Sequence, residues 1–510
     1  MARPRNGTVT LRIPPPVGGV NLATAADKLQ PIEAVDLRGF EFDEYGVLGG
    51  PRAPKDLGAI VGGSTKVLSA YIFQRTSGGT QLLVHMDDGT LRYSTDFLTA
   101  APPAFSTIAS SLSTTAPFSF VTFLDKVWMG NATNDFRSWD GTTQVTFASA
   151  PKARWLLVWR DTLWMSAGAP FSDADRIYQS DAGDPTTWPA LNFVDIDKGV
   201  GMGITGLHAV EAALIVFKHQ KTYIVFDPVE YTNRVIDSSK GAISGSSVVN
   251  HNGLVYFVSH MGVCRFLGDG PSQIVSEKIA PLFDDLYVFG SSLATQLLDT
   301  AEETFIVGYS FENYVGWYIP NNKLSQFIKY FPDLPDKPWV FGTPMDPETL
   351  TGRACVVSVL ERDKYQQLYK ISGSPAKLWR EYGETVSVGV SCIWRSAWFD
   401  FDTPMDEKYI SMMQINFRGE LLSILANRDF DNTTYKTLAT NLTQTPSLGE
   451  KAVFTDLYAR AIQFEFEAVA SAERKQLVGS GLANEAEISR FQSGIAAVTI
   501  KAKMLGDMRR

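Results

Sequence analysis

One phrase repeats through the middle of the chain and limits its fold more than any other feature. It is a short apolar strand, a polar two-residue turn, a strand carrying an aromatic, another turn, and a strand ending on Tyr, Trp or Phe, often closed by Asp-Gly. The first copy occupies 67–73, 82–84, Asp88-Gly89 and 91–93. The second is 118–123, a turn at Asp125-Lys126, then 127–129, 136–139 and Asp140-Gly141. The third is 155–159, Arg160-Asp161, 163–165 and 177–178; the fourth is 214–217, His219-Gln220 and 223–226. The fifth is 247–249, Asn252-Gly253, 255–257, 263–266 and Gly268-Asp269-Gly270. Weaker copies lie at 305–310 with 316–318 and at 355–360 with 367–370.

Asn-Gly and Asp-Gly between apolar runs are strong hairpin signals. A period of roughly 35 to 45 residues is the spacing of a four-stranded sheet repeated around an axis. One such sheet cannot bury both of its faces, whereas neighbours stacked in a ring supply a core and leave only short edges. Unrelated β-sandwiches would use similar hairpins without keeping turn and aromatic in one order. The expectation is an all-β chain with a β-propeller of about seven blades over residues 61–385.

The flanks read differently. Residues 1–60 open with Pro14-Pro15-Pro16 and Gly18-Gly19, which suits an extended N-terminal arm, since proline fixes φ and lacks an amide donor. A short helix is expected at 31–37, with Pro31 at its first position. Gly46, Gly49-Gly50 and Pro51 then interrupt the chain. Residues 386–510 carry strand candidates at 394–401, 408–417, 421–425, 462–466 and 497–503, with a short helix at 485–491. They predict a smaller C-terminal antiparallel β domain of about 120 residues.

Composition narrows the function. Apolar residues make up 45% and charged residues 20%, and the net charge is −9. That balance lacks the broad basic footprint of non-specific nucleic-acid binding. Cys264, Cys355 and Cys392 lie far apart, outside any CxxC or Cys/His cluster, and are expected as buried free thiols. The N-terminus has positive charge with no apolar segment behind it, so no secretory signal is expected, and no run approaches a membrane span.

The search for chemistry assigns no catalytic, cofactor-binding or metal-ligating residue. His85, His208, His219, His251 and His260 show no ligand spacing. Gly201-Met202-Gly203-Ile204-Thr205-Gly206 fits GxGxxG but leads into a strand, so it reads as a connection between blades. Asp87-Asp88 reads as a turn, and Asp284-Asp285 as the end of a short helix begun near Glu277. Arg92, Arg154, Arg176, Asp181, Glu211 and Tyr178 are the residue types a sialidase would converge on its substrate, but their spacing picks out no site. The segment from Ser180-Asp181 through Gly183 to Thr187-Trp188 loosely resembles an Asp-box, a structural hairpin of propellers such as sialidases. There Asp and Ser would hold turn amides and Trp would wedge beneath.

Several longer stretches belong together. One runs through Gly18-Gly19-Val20-Asn21-Leu22, Leu29-Gln30-Pro31-Ile32-Glu33-Ala34 and Gly46-Val47-Leu48 to Arg52. A second is Gly203-Ile204-Thr205-Gly206-Leu207 leading to 214–218. A third is 241–249, 253–263 and 274–279, and a fourth is 394–401. Together they resemble the β-propeller proteins of bacteriophage tails, including the tail nozzle proteins of short-tailed phages. The resemblance implies a non-enzymatic structural component of the virion tail, a nozzle- or hub-like ring of six copies around the DNA exit channel. It further implies assembly in the host bacterial cytoplasm, adaptor and tail-fibre proteins as neighbours, and no membrane anchor, cofactor or metal. Genome DNA would pass without sequence-specific binding, and an acidic balance suits such a conduit, because its wall does not attract phosphate. The alternative is a carbohydrate-active or glycan-binding propeller, a sialidase-like hydrolase or host receptor-binding protein, which would show several intact Asp-boxes and converging arginines.

Overall fold

The computed structural model of the protein describes residues 8–42, 48–49, 55–61, 63, 65–167, 173–199, 203–226, 233–268, 270–283, 305–320, 326–342, 354–360, 366–380, 391–401, 407–431, 435–469 and 494–504. The chain divides into two compact units. One comprises residues 56–326 and 346–380; the other comprises 1–55, 327–345 and 381–510.

The first unit is a β-propeller of six four-stranded antiparallel blades rather than about seven. The first blade is Val67–Gln74, Thr80–Met86, Leu91–Ser94 and Ser106–Ala109. The second is Ser119–Phe123, Lys126–Gly130, Phe136–Trp139 and Gln144–Phe147, and the third is Trp155–Trp159, Thr162–Ser166, Arg176–Gln179 and Phe193–Asp195. The fourth is Ile204–Val210, Ala213–Lys218, Thr222–Val225 and Asn233–Asp237, and the fifth is Val249–His251, Leu254–Ser259, Gly262–Arg265 and Gln273–Ile274. The sixth takes Ala354–Leu360, Gln366–Ser372 and Lys377–Arg380, and then Lys55–Ala59 from the other end of the propeller sequence. The weak sequence copy at 305–318 is, within this unit, a two-stranded hairpin, Val307–Phe311 with Tyr314–Ile319. It contacts the fifth blade through Trp317 Nε1 to the Ser247 carbonyl (2.9 Å) and the sixth through Gln366 Nε2 to the Ser310 carbonyl (3.1 Å).

Most turns fall where the sequence places them. Arg160-Asp161 and Asn252-Gly253 each carry two consecutive positive φ angles, the signature of the type I′ hairpin. In the second blade the turn is Leu124-Asp125 rather than Asp125-Lys126, because Phe123 pairs with Lys126.

Each blade is dry on both faces, and its neighbours keep it so. Leu82, Val84 and Met86 pack with Val357, Tyr369, Ile371 and Leu378 of the sixth blade, whereas Leu83, between them in sequence, packs toward Val127, Met129 and Trp139 of the second. The same division separates Leu163 and Met165 from Trp164. A strand buried on both faces reads as an unbroken apolar run rather than an alternating one, and Ala213–Lys218 is buried throughout.

Strand Lys55–Ala59 closes the ring. Its Leu57 enters the core between the sixth and first blades, Ile60 donates its amide to the Ala376 carbonyl (2.9 Å), and the Ala376 amide bonds the Thr65 carbonyl (2.8 Å). These residues were expected to end an arm; instead they complete a blade.

The second unit is a mixed, mostly antiparallel sheet in the order Thr8–Ile13, Gly494–Met504, Lys408–Arg428, Ile462–Val469, Ser391–Phe399, Glu33–Arg38, Trp339–Phe341 and Gln326–Tyr330. Gly19–Val20 pairs alongside Glu33–Arg38, and Lys436–Ala459 alongside Lys408–Arg428. Two expectations are corrected. The extended arm is woven into this sheet, and the helix at 31–37 is a strand whose Leu37 faces Trp394 across an antiparallel pair. Glu33 explains the misreading: its carboxylate accepts from Asn21 Nδ2 (3.0 Å) and the Gln30 amide (3.3 Å), closing a turn before the strand rather than a helix N-terminus. Residues 327–345, read as propeller, supply strands here, and the helix expected at 485–491 lies outside the described residues.

Ring closure gives the first prediction. Leu57→Ala should lower the free energy of unfolding by about 2 to 4 kcal/mol, as for a core leucine. A loosely packed arm would give less than about 0.5 kcal/mol, and urea denaturation separates the two.

Candidate functional site

The first strands of the first, second, third, fourth and sixth blades, with Gly245-Ser246 before the fifth and Val307 of the hairpin, line a cavity of about 280 Å³. Blades share no continuous backbone ladder there, so side-chain hydroxyls join them. Ser69 Oγ accepts the Phe118 amide (3.1 Å), joining first and second blades. Ser119 Oγ accepts the Leu156 amide (3.2 Å), joining second and third. Ser246 Oγ donates to the Ile306 carbonyl (2.6 Å), joining the approach to the fifth blade with the hairpin. Sequence reasoning missed this series. Its one signal was a serine in the same place of two copies, Leu68-Ser69-Ala70 and Phe118-Ser119-Phe120.

The glycines around the GxGxxG match serve the same crowded axis. Gly206 sits on the first strand of the fourth blade, and a Cβ there would stand 2.8 Å from the Gly245 Cα. A Cβ on Gly245 would meet the Trp155 ring at 2.7 Å. Gly206, the last glycine of the match, is therefore a point of close backbone approach on a strand.

Among the described residues, Arg154 is the only charged one lining the cavity. Its guanidinium lies 4.8 Å from the Trp155 ring centroid, and burial pulls its pKa below the usual arginine range with no carboxylate acting against it. The other residues of the sialidase-like set stand elsewhere. Arg92 pairs with Asp88 (3.6 Å) in a first-blade turn. Arg176 stacks on Phe193 and forks onto Asp195 (2.7 and 3.1 Å), and that hydrogen-bonded pairing raises the pKa of Arg176 and lowers that of Asp195. Tyr178 donates to Asp173 (2.8 Å), and partial burial with that bond pushes its pKa up to about 12. Asp181 and Glu211 are exposed. The set does not converge.

Other charged groups fasten blades together. Lys218 reaches from the fourth blade to Asp175 (2.7 Å) and the Asp197 carbonyl (3.0 Å) beside the third, and Tyr223 donates to the Asp197 carboxylate (2.7 Å). In the Asp-box-like turn the working carboxylate is Asp184, which accepts from the Thr186 amide and the Thr186 and Thr187 hydroxyls, while Trp188 packs edge-on against Phe136. That role is structural.

Among the described residues no group of three or more His, Cys, Asp or Glu is placed to hold a metal ion, and no helix is long and apolar enough to cross a membrane. His251 bonds Ser310 (2.8 Å), and His219 stacks on His260 with ring centroids 6.0 Å apart. Burial lowers the pKa of His208. The three cysteines are buried and form no disulfide; burial pushes the Cys264 thiol up to about 12 and raises Cys392 as well. Asp284-Asp285 lies outside the described residues.

His85 is fully buried, edge-on to Phe118 at 4.7 Å, and makes no full hydrogen bond through either ring nitrogen. Burial lowers its pKa from 6.5 to about 4. The unfolded chain therefore takes up this proton first, so the neutral ring's contribution is intact above about pH 6.5 and is lost as pH falls toward 4. His85→Leu should flatten the acid limb of the stability profile across that window, by on the order of 3 kcal/mol; thermal melts from pH 7 to pH 4 measure it. Gly245→Ala should cost about 1 to 3 kcal/mol through overpacking against Trp155, read by urea denaturation.

No family model matches the chain, and no curated protein matches it. Among solved structures it is similar to the computationally designed Ika8 protein, at 10% identity and TM-score 0.34, over 64% of this chain and 99% of that one. It is similar to YCF48 bound to D1 peptide, at 9% identity and TM-score 0.40, over 65% and 96%. A third is BamB from Moraxella catarrhalis, at 13% identity and TM-score 0.35, over 62% and 85%. None of these likenesses carries an argument about what this chain does.

Proposed function

We propose that this protein is a non-enzymatic structural subunit of a bacteriophage tail, assembling through its own surfaces into a nozzle- or hub-like ring around the DNA exit channel. The observation that carries the reading is an open strand edge. Lys436–Ala459, 24 residues long, pairs on one side with Lys408–Arg428, and no described strand covers its other side. Along it Val453, Thr455, Leu457 and Ala459 are buried while Phe454, at 81% exposure, and Tyr458 face outward. A long edge of unpaired amides and carbonyls bearing exposed aromatics is a template for association with another chain. The phrases shared with phage tail propellers also fall on architectural positions, the Gly206–Gly245 approach and the strands Glu33–Arg38 and Ser391–Phe399. Six copies, adaptor and fibre neighbours and a place in the virion tail belong to the same proposal.

Light scattering and negative-stain imaging of the purified chain should show a closed ring. Phe454→Asp should weaken the association at least tenfold and shift the mass toward the single chain. Its unfolding free energy should move by less than about 0.5 kcal/mol, since the side chain is exposed. A chain that stays monomeric at tens of micromolar and hydrolyses sialosides would overturn the proposal.

A further inference from the structure

The axial cavity has a composition that structural filling does not require. Its wall is largely apolar, with Tyr71, Phe120 and Trp155 among its rings, and among the described residues it holds one cation, Arg154, with no aspartate or glutamate in the lining. In a chain of net charge −9 that is a local reversal of sign. Among the described residues the guanidinium has no carboxylate partner, and it lies over the Trp155 face, 4.8 Å from the ring centroid. Such a cation keeps most of its donors available, and its fixed fork matches a carboxylate.

Three further donors stand at the same wall. Ser69 Oγ and Ser119 Oγ each accept a backbone amide, which leaves each hydroxyl proton to donate. The indole N–H of Trp155, a residue 8% exposed, is buried without an acceptor. Buried donors without acceptors are costly, and an anion that reaches them removes that cost. A wall offering one cation and several neutral donors suits a single negative charge better than a phosphate dianion, and the apolar remainder suits a hydrocarbon body.

The geometry points to a binding site for an organic carboxylate on the propeller axis, its carboxylate held by Arg154 and its apolar body packed among the aromatic rings. The source is a free organic acid or the C-terminal carboxylate of a polypeptide. The site is independent of the role in assembly proposed above, because every residue it uses lies within one propeller.

Calorimetric titration of the full-length protein with benzoate, and in parallel with N-acetyl-phenylalanine, tests this; benzamide and N-acetyl-phenylalanine amide serve as neutral counterparts. The expected result is saturable binding of one carboxylate per chain, at least tenfold weaker binding of the matching amide, and at least tenfold weakening in Arg154→Gln. Arg154→Lys should recover part of the loss, and both variants should melt close to the parent protein. Binding of benzoate alone assigns a free acid; binding of N-acetyl-phenylalanine with the larger affinity assigns a polypeptide C-terminus. Absence of saturable binding for both acids, equal binding of acid and amide, or unchanged binding in a folded Arg154→Gln protein would each overturn the assignment.

Discussion

The structure depends on strands that are apolar on both faces. Leu82, Val84 and Met86 on one side and Leu83 on the other cannot all be dry in a single sheet, so each blade is stable only between two others. This makes the last joint as important as the first. A row of blades would leave a wet apolar face at each end, and the sixth blade removes both ends by recruiting Lys55–Ala59 from the start of the propeller sequence. The two ends of the propeller sequence thereby meet in one sheet.

Closing a ring brings all the first strands together and creates a crowded axis. Two devices manage it. Glycines at 206 and 245 let backbones approach where any Cβ would collide, and serines at 69, 119 and 246 bond across from one blade to the next where no ladder runs. Farther out, the gaps are bridged by charge, as where Lys218 spans from the fourth blade to Asp175. Hydrogen bonds to charged groups are stronger than neutral ones, so Lys218, which is almost fully buried, holds the two blades at a defined spacing.

Much of this was legible beforehand because the relevant signals are local. Asn252-Gly253 and Arg160-Asp161 specify hairpins through their own backbone preferences, and the aromatic-bearing strands announce themselves by composition. The count falls from about seven to six because the copy at 305–318 lies outside the six separate four-stranded sheets, and a phrase cannot report which sheet its strands join. Strand Glu33–Arg38 was misread for a related reason: proline followed by Glu-Ala is a fair helix start until Trp394 lies across from Leu37. At the candidate site, Arg92, Arg154 and Arg176 are alike in sequence. Two acquire carboxylates on folding and one does not, and only distances in space separate them.

An all-β chain of short hairpin sheets, cysteine-poor and acidic, follows from the residues alone, because turn residues and apolar runs act over a few neighbouring positions. Folding is what makes residues 55–59 close the ring and the opening segment sheet rather than arm, and what leaves Arg154 at the cavity with no counter-charge among the described residues. Each of these rests on a pairing between residues tens to hundreds of positions apart, and local backbone preference carries no information about such pairings.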